Sequence, residues 1–408
     1  RDTDRSRGLG DVYKRQDKRF IFCTLIFYCY YYFFNHQEGN AMNTKPVFHG
    51  SDIEKICEYY HLNQEDIVNF GANVNPIGIS THVKQVLASH LDLLSSYPDR
   101  DYQSLRNTVS EYCGVPADYV LPGNGSSELI SLLIETRAPK RTLLLGPTYS
   151  EYSRELSLSN SKCNEFLLKE TDEFILNVDF LCQSLLAGSY DFLIICNPNN
   201  PTSSAILRSD MERLLTFCEQ HDIFVMIDET YVEFAPVIED VTAVPFTKTF
   251  KNLMVLRGVS KFFAAPGVRL GYGITGNMPF LKAMKEKQIP WSLNSLGAFA
   301  GELMLKDEEY IRQTRRLILS EREKMYSALK EQPAYKTYKP YANFLLVKLL
   351  QKETTAFDVF THCVKNGLMI RDCSSFKSLD GEFIRFCVMD SKDNQRLLDE
   401  LSFLCRQK

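Results

Sequence analysis

Two cations interrupt RGVSKFFAAPGVRLGYG, residues 257–273: Lys261 and, eight positions later, Arg269. The rest of the stretch is small, apolar or aromatic, so both charges are expected to be partly enclosed. An enclosed cation needs an anionic partner or a chemical task. Asp228, at the end of the strand-like run FVMID, offers one such anion. A lysine amine whose pKa is depressed forms a Schiff base with a carbonyl. A carboxylate facing a pyridine nitrogen keeps that nitrogen protonated and makes the ring an electron sink. Lys261 and Asp228 together therefore suit a ligand that is both an aldehyde and a pyridine. GNGSSE, residues 123–128, opens a helical pattern, and the start of a helix offers free N–H groups and a positive dipole end to a phosphate. Gly125, Ser126, Ser127, Ser260 and Arg269 are the candidates for that cradle, Arg269 through a charge-assisted contact.

Taken singly, these signals are weak. GNGSSE reads as an ordinary glycine-rich turn, and it lacks the third glycine of a dinucleotide fingerprint, which disfavours a nicotinamide enzyme. NPNNPTS, residues 197–203, is a plausible turn cluster, and Tyr149 alone is a core or surface aromatic. Their common placement gives them weight. TLLLG (142–146), DFLIIC (191–196), FVMID (224–228) and LMVL (253–256) read as buried strands, apolar on both faces. Helical patterns separate them, among them SDMERLLTFCEQHD (209–222), with Ser or Asp available as its N-cap. This rhythm predicts an α/β fold with a mostly parallel sheet. In such sheets ligands bind beyond the carboxyl ends of the strands. GNGSSE, GPTYSEY, NPNNPTS, DETY and RGVSK all fall at such ends.

From about residue 296 the texture changes. LGAFAGELMLKDEEYIRQTRRLILSEREKMYSALKEQ predicts one or two long amphipathic helices, leading to a second unit. That unit reads as ANFLLVKL (strand), TTAFDVFTHCVKNG (helix ending at glycine), then LMIRD and FIRFCVM (strands). Arg371 and Arg385 fall on these last two strands, while HGSD and FGANVNPIG place His49 and Asn73 in an N-terminal arm. One histidine, one asparagine and two arginines make a pocket for a doubly anionic substrate, such as an amino acid carrying a phosphate.

Composition narrows the classes. The 408 residues carry a net charge of −4, which argues against nucleic acid as a partner. The twelve cysteines form no C-x-x-C pair or Cys/His cluster, so no metal site is expected. Cys182, Cys196, Cys218 and Cys387 lie in apolar runs, where free thiols behave as small hydrophobes, and a reducing cytoplasm fits best. RDTDRSRGLGDVYKRQ has no hydrophobic period, and FIFCTLIFYCYYYFF (20–34) is short for a membrane span. Residues 1–41 are expected to be upstream leader, with translation starting at Met42 and no membrane anchor.

The set NPNNPTS, DETY and SK-x7-R resembles the fold-type-I pyridoxal-phosphate (PLP) enzymes of the class I/II aminotransferase family, over roughly residues 45–405. The resemblance implies a large PLP-binding domain (86–295) with a seven-stranded sheet, a smaller α+β C-terminal domain (296–408), and an arm (42–85) joined to the latter. It further implies Lys261 as the Schiff-base lysine and Asp228 as the partner of the ring nitrogen. Asn200 and Tyr231 would hydrogen-bond the ring hydroxyl, and Tyr149 would stack on the ring. Tyr97 would be lent to the cofactor phosphate of a second copy, so a homodimer is implied. Ser203 departs from the family, which usually has glycine there. HGSD, YPDRDY (97–102), IPWSLNSLG (289–297) and the two arginines resemble the threonine-phosphate decarboxylase branch, next to the histidinol-phosphate aminotransferases. That branch implies Arg385 on a substrate carboxylate, and Arg371, His49 and Asn73 on a phosphate. HGS, where the branch has HGG, is a second departure. The implied reaction is decarboxylation of threonine phosphate in cobalamin biosynthesis. The alternative is transamination of a phosphorylated or phosphonate amine, and a binding module without turnover is disfavoured because Lys261 is intact.

Overall fold

The computed structural model describes residue 48 and residues 52–406. The expected leader, the Met42 start and His49 lie outside the described residues. From Phe48 onward the chain clusters as one compact unit.

Strand β1 (Val68–Asn69) is followed by the seven strands of the large sheet: β2 (Val120–Asn124), β3 (Arg141–Gly146), β4 (Lys162–Leu167), β5 (Phe192–Cys196), β6 (Phe224–Asp228), β7 (Leu253–Gly258) and β8 (Leu270–Ile274). Their order is β2-β8-β7-β6-β5-β3-β4. Only β8 runs antiparallel to its neighbours. β5, β6 and β7 are buried at every position, which explains their unbroken apolar runs: helices cover both faces. Sequence patterning misses the outer members. β2 reads VLPGN, and its proline is tolerable only because it is an edge strand. β4, at the other edge, has no fully buried position.

Pattern and structure differ at one helix start. The helix Arg208–Gln220 begins after Leu207, with no side-chain cap, so neither Ser209 nor Asp210 caps it. The amphipathic stretch beyond residue 295 is two helices, Ser295–Leu305 and Glu308–Lys330. They separate because Asp307 turns its carboxylate back onto the Tyr310 N–H and starts the second.

The remaining strands are β9 (Tyr335–Thr337), β10 (Phe344–Leu349), β11 (Leu368–Met369), β12 (Arg371–Asp372) and β13 (Phe383–Cys387). β12-β13-β10-β9 form an antiparallel sheet, and β11 pairs in parallel with β1 of the arm. The helix Ala356–Lys365 starts in a capping box from Thr355 and Asp358. It is followed by Gly367 at φ +76°, a left-handed conformation that glycine adopts without strain. No helix among the described residues is long and apolar enough to cross a membrane.

Candidate active site

The ends of the central strands and the start of the four-stranded sheet meet around Lys261. Its half-buried amine donates to the Ala72 carbonyl at 2.7 Å. Burial, and then the nearby Arg385 charge, push its pKa down from 10.5 to about 8. Roughly a tenth of the amine is therefore unprotonated at pH 7, far more than for an ordinary lysine, as a nucleophile or proton carrier requires.

Asp228 closes β6 and is buried. Its Oδ2 accepts from the Tyr152 hydroxyl at 2.7 Å, and its Oδ1 accepts from the Thr230 N–H and hydroxyl at 2.9 and 2.6 Å. Neither supporting residue was singled out from sequence. The available signal for Thr230 was its place two residues after an aspartate, where a short side chain closes a local turn. Tyr152 had none: its reach to Asp228 exists only because β3 and β6 lie in one sheet.

The loop after β5 crosses to both sides of the site. Asn199 donates to the Pro147 carbonyl at 2.9 Å, joining the loops after β5 and β3. Asn200 turns its Oδ1 to the Arg385 guanidinium, which also donates to the Gly71 carbonyl at 2.7 Å. Tyr231 is buried, with its hydroxyl 3.4 Å from Asn73 Nδ2 and its ring edge-on to Phe344 at 5.1 Å. Burial raises its pKa, so the phenol stays protonated. Asn73 sits at φ +56°, and its backbone carbonyl accepts from Asn343 at 3.0 Å.

The expected phosphate cradle is assembled at the end of β2. The helix Gly125–Arg137 begins there with no side-chain cap on its first turn. Gly125 lies at φ +81°, and a Cβ there would come within 2.4 Å of the Arg269 guanidinium. A Cβ on Gly271 would meet the Ser126 nitrogen at 2.5 Å. Glycine is required at both positions for Arg269 and β8 to approach the helix start. Ser126 and Ser260 are half-buried, Ser127 exposed. Arg269 is itself exposed, contrary to the enclosure inferred from its apolar neighbours. Those neighbours (Phe262, Phe263, Ala265) turn into the core while the strained Arg269 backbone, at φ +56°, turns the side chain outward. Tyr149 is 40% exposed and edge-on to Tyr152, and Tyr97 is 80% exposed beside Trp291, with ring centroids 5.1 Å apart.

Arg371 and Arg385 are direct cross-strand partners in β12 and β13, and both are buried. Two guanidiniums facing each other away from water are unfavourable without an anion. Arg371 donates to Ser375 Oγ at 2.7 Å, and burial lowers its pKa. Arg385 Nε and Asn73 Oδ1 are buried without a hydrogen-bond partner. These unfilled groups, the amine of Lys261 with its depressed pKa, the supported carboxylate of Asp228 and the glycine-lined helix start fit a PLP molecule with an anionic substrate beside it.

Comparison with known proteins agrees with this geometry. Residues 65–401 match the family model described as aminotransferase class I and II. The chain is 31% identical to a threonine-phosphate decarboxylase of Salmonella typhimurium, over 86% of this chain and 95% of the relative. It is 29% identical to a histidinol-phosphate aminotransferase of Ruminiclostridium cellulolyticum, over 88% of this chain and 98% of the relative. Among solved structures, the histidinol-phosphate aminotransferase of Clostridium acetobutylicum superposes with a TM-score of 0.77 at 29% identity, covering 83% of this chain and 99% of that one. The chain is a PLP-dependent enzyme, and it belongs to the class I and II aminotransferase family.

Proposed function

We propose that this enzyme decarboxylates L-threonine O-3-phosphate to aminopropanol phosphate. The observation that carries the reading is the buried cross-strand pair Arg371 and Arg385, which makes no ion pair with a carboxylate among the described residues. One anion on the substrate would leave one of these charges uncompensated; a carboxylate and a phosphate satisfy both. Similarity to the Salmonella threonine-phosphate decarboxylase supports the same substrate class.

PLP, when bound, supplies an aldehyde that condenses with an amine and a ring that takes up the electron pair of the bond being broken. Asp228, braced by Tyr152 and Thr230, holds the proton on the ring nitrogen. Asn200 and Tyr231 hold the ring hydroxyl, Tyr149 covers the ring, and Gly125, Ser126, Ser127, Ser260 and Arg269 hold the cofactor phosphate. Lys261 carries the amine and moves the proton. Arg385 holds the substrate carboxylate, and Arg371, Asn73 and His49 hold its phosphate. Arg385 would set the outcome by fixing how the substrate carboxylate is held beside Lys261. A second copy completes the site with Tyr97, whose exposed ring suits a partner surface. The expected location is the cytoplasm.

The similarity to histidinol-phosphate aminotransferases favours transamination as the second reading. A single assay separates them. Threonine phosphate alone should release CO2 and leave no keto acid. Glutamate formation from 2-oxoglutarate and histidinol phosphate, without CO2, would replace the first reading by the second.

A further inference from the structure

Ala342 lies in the turn before β10, and two separate chain segments converge on its backbone. Its N–H donates to Ser203 Oγ at 3.0 Å, and its carbonyl accepts from Arg322 at 2.7 Å. The Ser203 carbonyl accepts from the next-door Tyr341 N–H at 2.8 Å, so the serine grips this turn twice. Arg322 also donates to the Phe234 carbonyl at 2.9 Å, in the 3₁₀ turn that follows Tyr231. Both Ser203 and Arg322 are buried.

Two aspects of these residues call for a reason. Ser203 sits at φ +59°, where glycine is comfortable and other residues are strained. Its hydroxyl makes a bond that a glycine there would lack. Arg322 is a buried cation of the helix Glu308–Lys330 whose contacts at Nη1 are to backbone carbonyls, one on each side of the seam between the two sheets. Such a group acts by geometry, since it touches neither Lys261 nor the facing arginines.

The residues on either side of these grips are site residues. Ser203 ends the loop whose Asn200 meets Arg385. Phe234 follows Tyr231 by three positions. Ala342 precedes Asn343, which holds the Asn73 backbone, and Phe344, which lies 5.3 Å beneath the Arg385 guanidinium and edge-on to Tyr231. We infer that Ser203 and Arg322 are positioning residues, joined through Ala342, that fix Arg385 relative to Asn200, Tyr231 and Lys261. The inference rests on the PLP reading above and assigns no contact with cofactor or substrate to either residue.

The test uses two substitutions that remove the same hydroxyl but differ in backbone strain. Ser203→Gly relieves the positive φ, whereas Ser203→Ala keeps it. The two must therefore differ in thermal stability while sharing the loss of the bond to Ala342. The readout is the pH midpoint of the visible absorbance of the PLP-loaded protein, which needs no substrate. Burial lowers the Lys261 pKa most, and the nearby Arg385 charge lowers it further, with Cys387 opposing both. Releasing Arg385 should therefore raise the midpoint. An equal rise of about threefold in the proton-binding constant is expected in both variants, less than the roughly tenfold value of a whole charge-assisted bond. Arg322→Met should shift the midpoint in the same direction. An unchanged midpoint in the Ser203 variants, or a shift that tracks the loss of thermal stability rather than the missing hydroxyl, would overturn the inference. No visible band in the parent protein would overturn the PLP reading, and the inference with it.

Discussion

Two buried charged clusters differ in a way that separates support from chemistry. In the first, Arg257 of β7 meets Glu229 at 2.8 Å, and Thr242 bonds both, accepting from Arg257 at 2.7 Å and donating to Glu229 at 2.9 Å. The Ala243 N–H adds a further bond to Glu229. Arg257 is held charged, with its pKa raised chiefly by Glu229 against the cost of burial. In the second, Arg371 and Arg385 face each other across two strands, and Arg385 Nε has no partner. The first cluster is complete without a ligand. The second is complete only with one. A buried ion pair is an indifferent source of stability, whereas buried like charges signal a site built for something absent from the chain itself.

The largest effect should come from the amine between the clusters' strands and the anion pocket. Lys261→Ala should abolish turnover with every substrate, because it removes the amine assigned to carry the imine and move the proton. Measurable turnover by single-turnover CO2 release would contradict the assignment. Thermal stability should change little, since the amine is held by a single backbone carbonyl.

Breaking the complete cluster comes next. Arg257→Met leaves the Glu229 carboxylate buried without its cation, and losing one member of such a pair costs about 3–5 kcal/mol of folding stability. Urea denaturation measures this directly. A loss below 1 kcal/mol would mean that Thr242 and Ala243 suffice to hold the carboxylate.

The incomplete cluster should respond in the opposite sense. Arg385→Leu removes half of a repulsive pair, so stability should hold or rise, while binding of any α-carboxylate substrate weakens by about 1.5–3 kcal/mol, roughly one to two orders of magnitude. Arg371→Ala should lower turnover of threonine phosphate selectively and leave that of plain threonine nearly unchanged. If the ratio of the two substrates stays at the parent value, the phosphate is not held by Arg371.

The smallest effect concerns a carboxyl at the border of the first cluster. Glu233 has neither carboxylate oxygen hydrogen-bonded, lies 3.9 Å from Arg257, and is pushed up to about 7 by burial. A carboxyl whose pKa is raised on folding binds more protons in the native state between pH 4.5 and 7. Its contribution is therefore full below 4.5 and is lost as pH rises through 7. Glu233→Gln should flatten that fall and gain ~1–3 kcal/mol above pH 7. A parallel pH–stability curve for parent and variant would show that the Glu233 pKa does not change on folding.

The sequence by itself determined the central strands and the chemistry at their ends. β5, β6 and β7 are buried at every position and apolar up to their carboxyl ends because both faces are covered, and uninterrupted burial leaves a signal no neighbour can erase. Lys261, Asp228, Asn200, Tyr231, Arg371 and Arg385 were legible because each breaks such a run or closes it. Edge strands β2 and β4 were not, since an edge needs no apolar run and tolerates Pro122. Tertiary structure alone decided the supporting contacts. Tyr152 reaches Asp228 across 76 positions, Arg385 meets Asn200 across 185, and Ala342 is held from Ser203 and Arg322. Such bonds depend on which strands become neighbours, and a local pattern of residue types carries no record of sheet order. The backbone conformations are of the same kind: Ser203 and Asn73 take positive φ because the contacts around them fix it, not because their residue types require it.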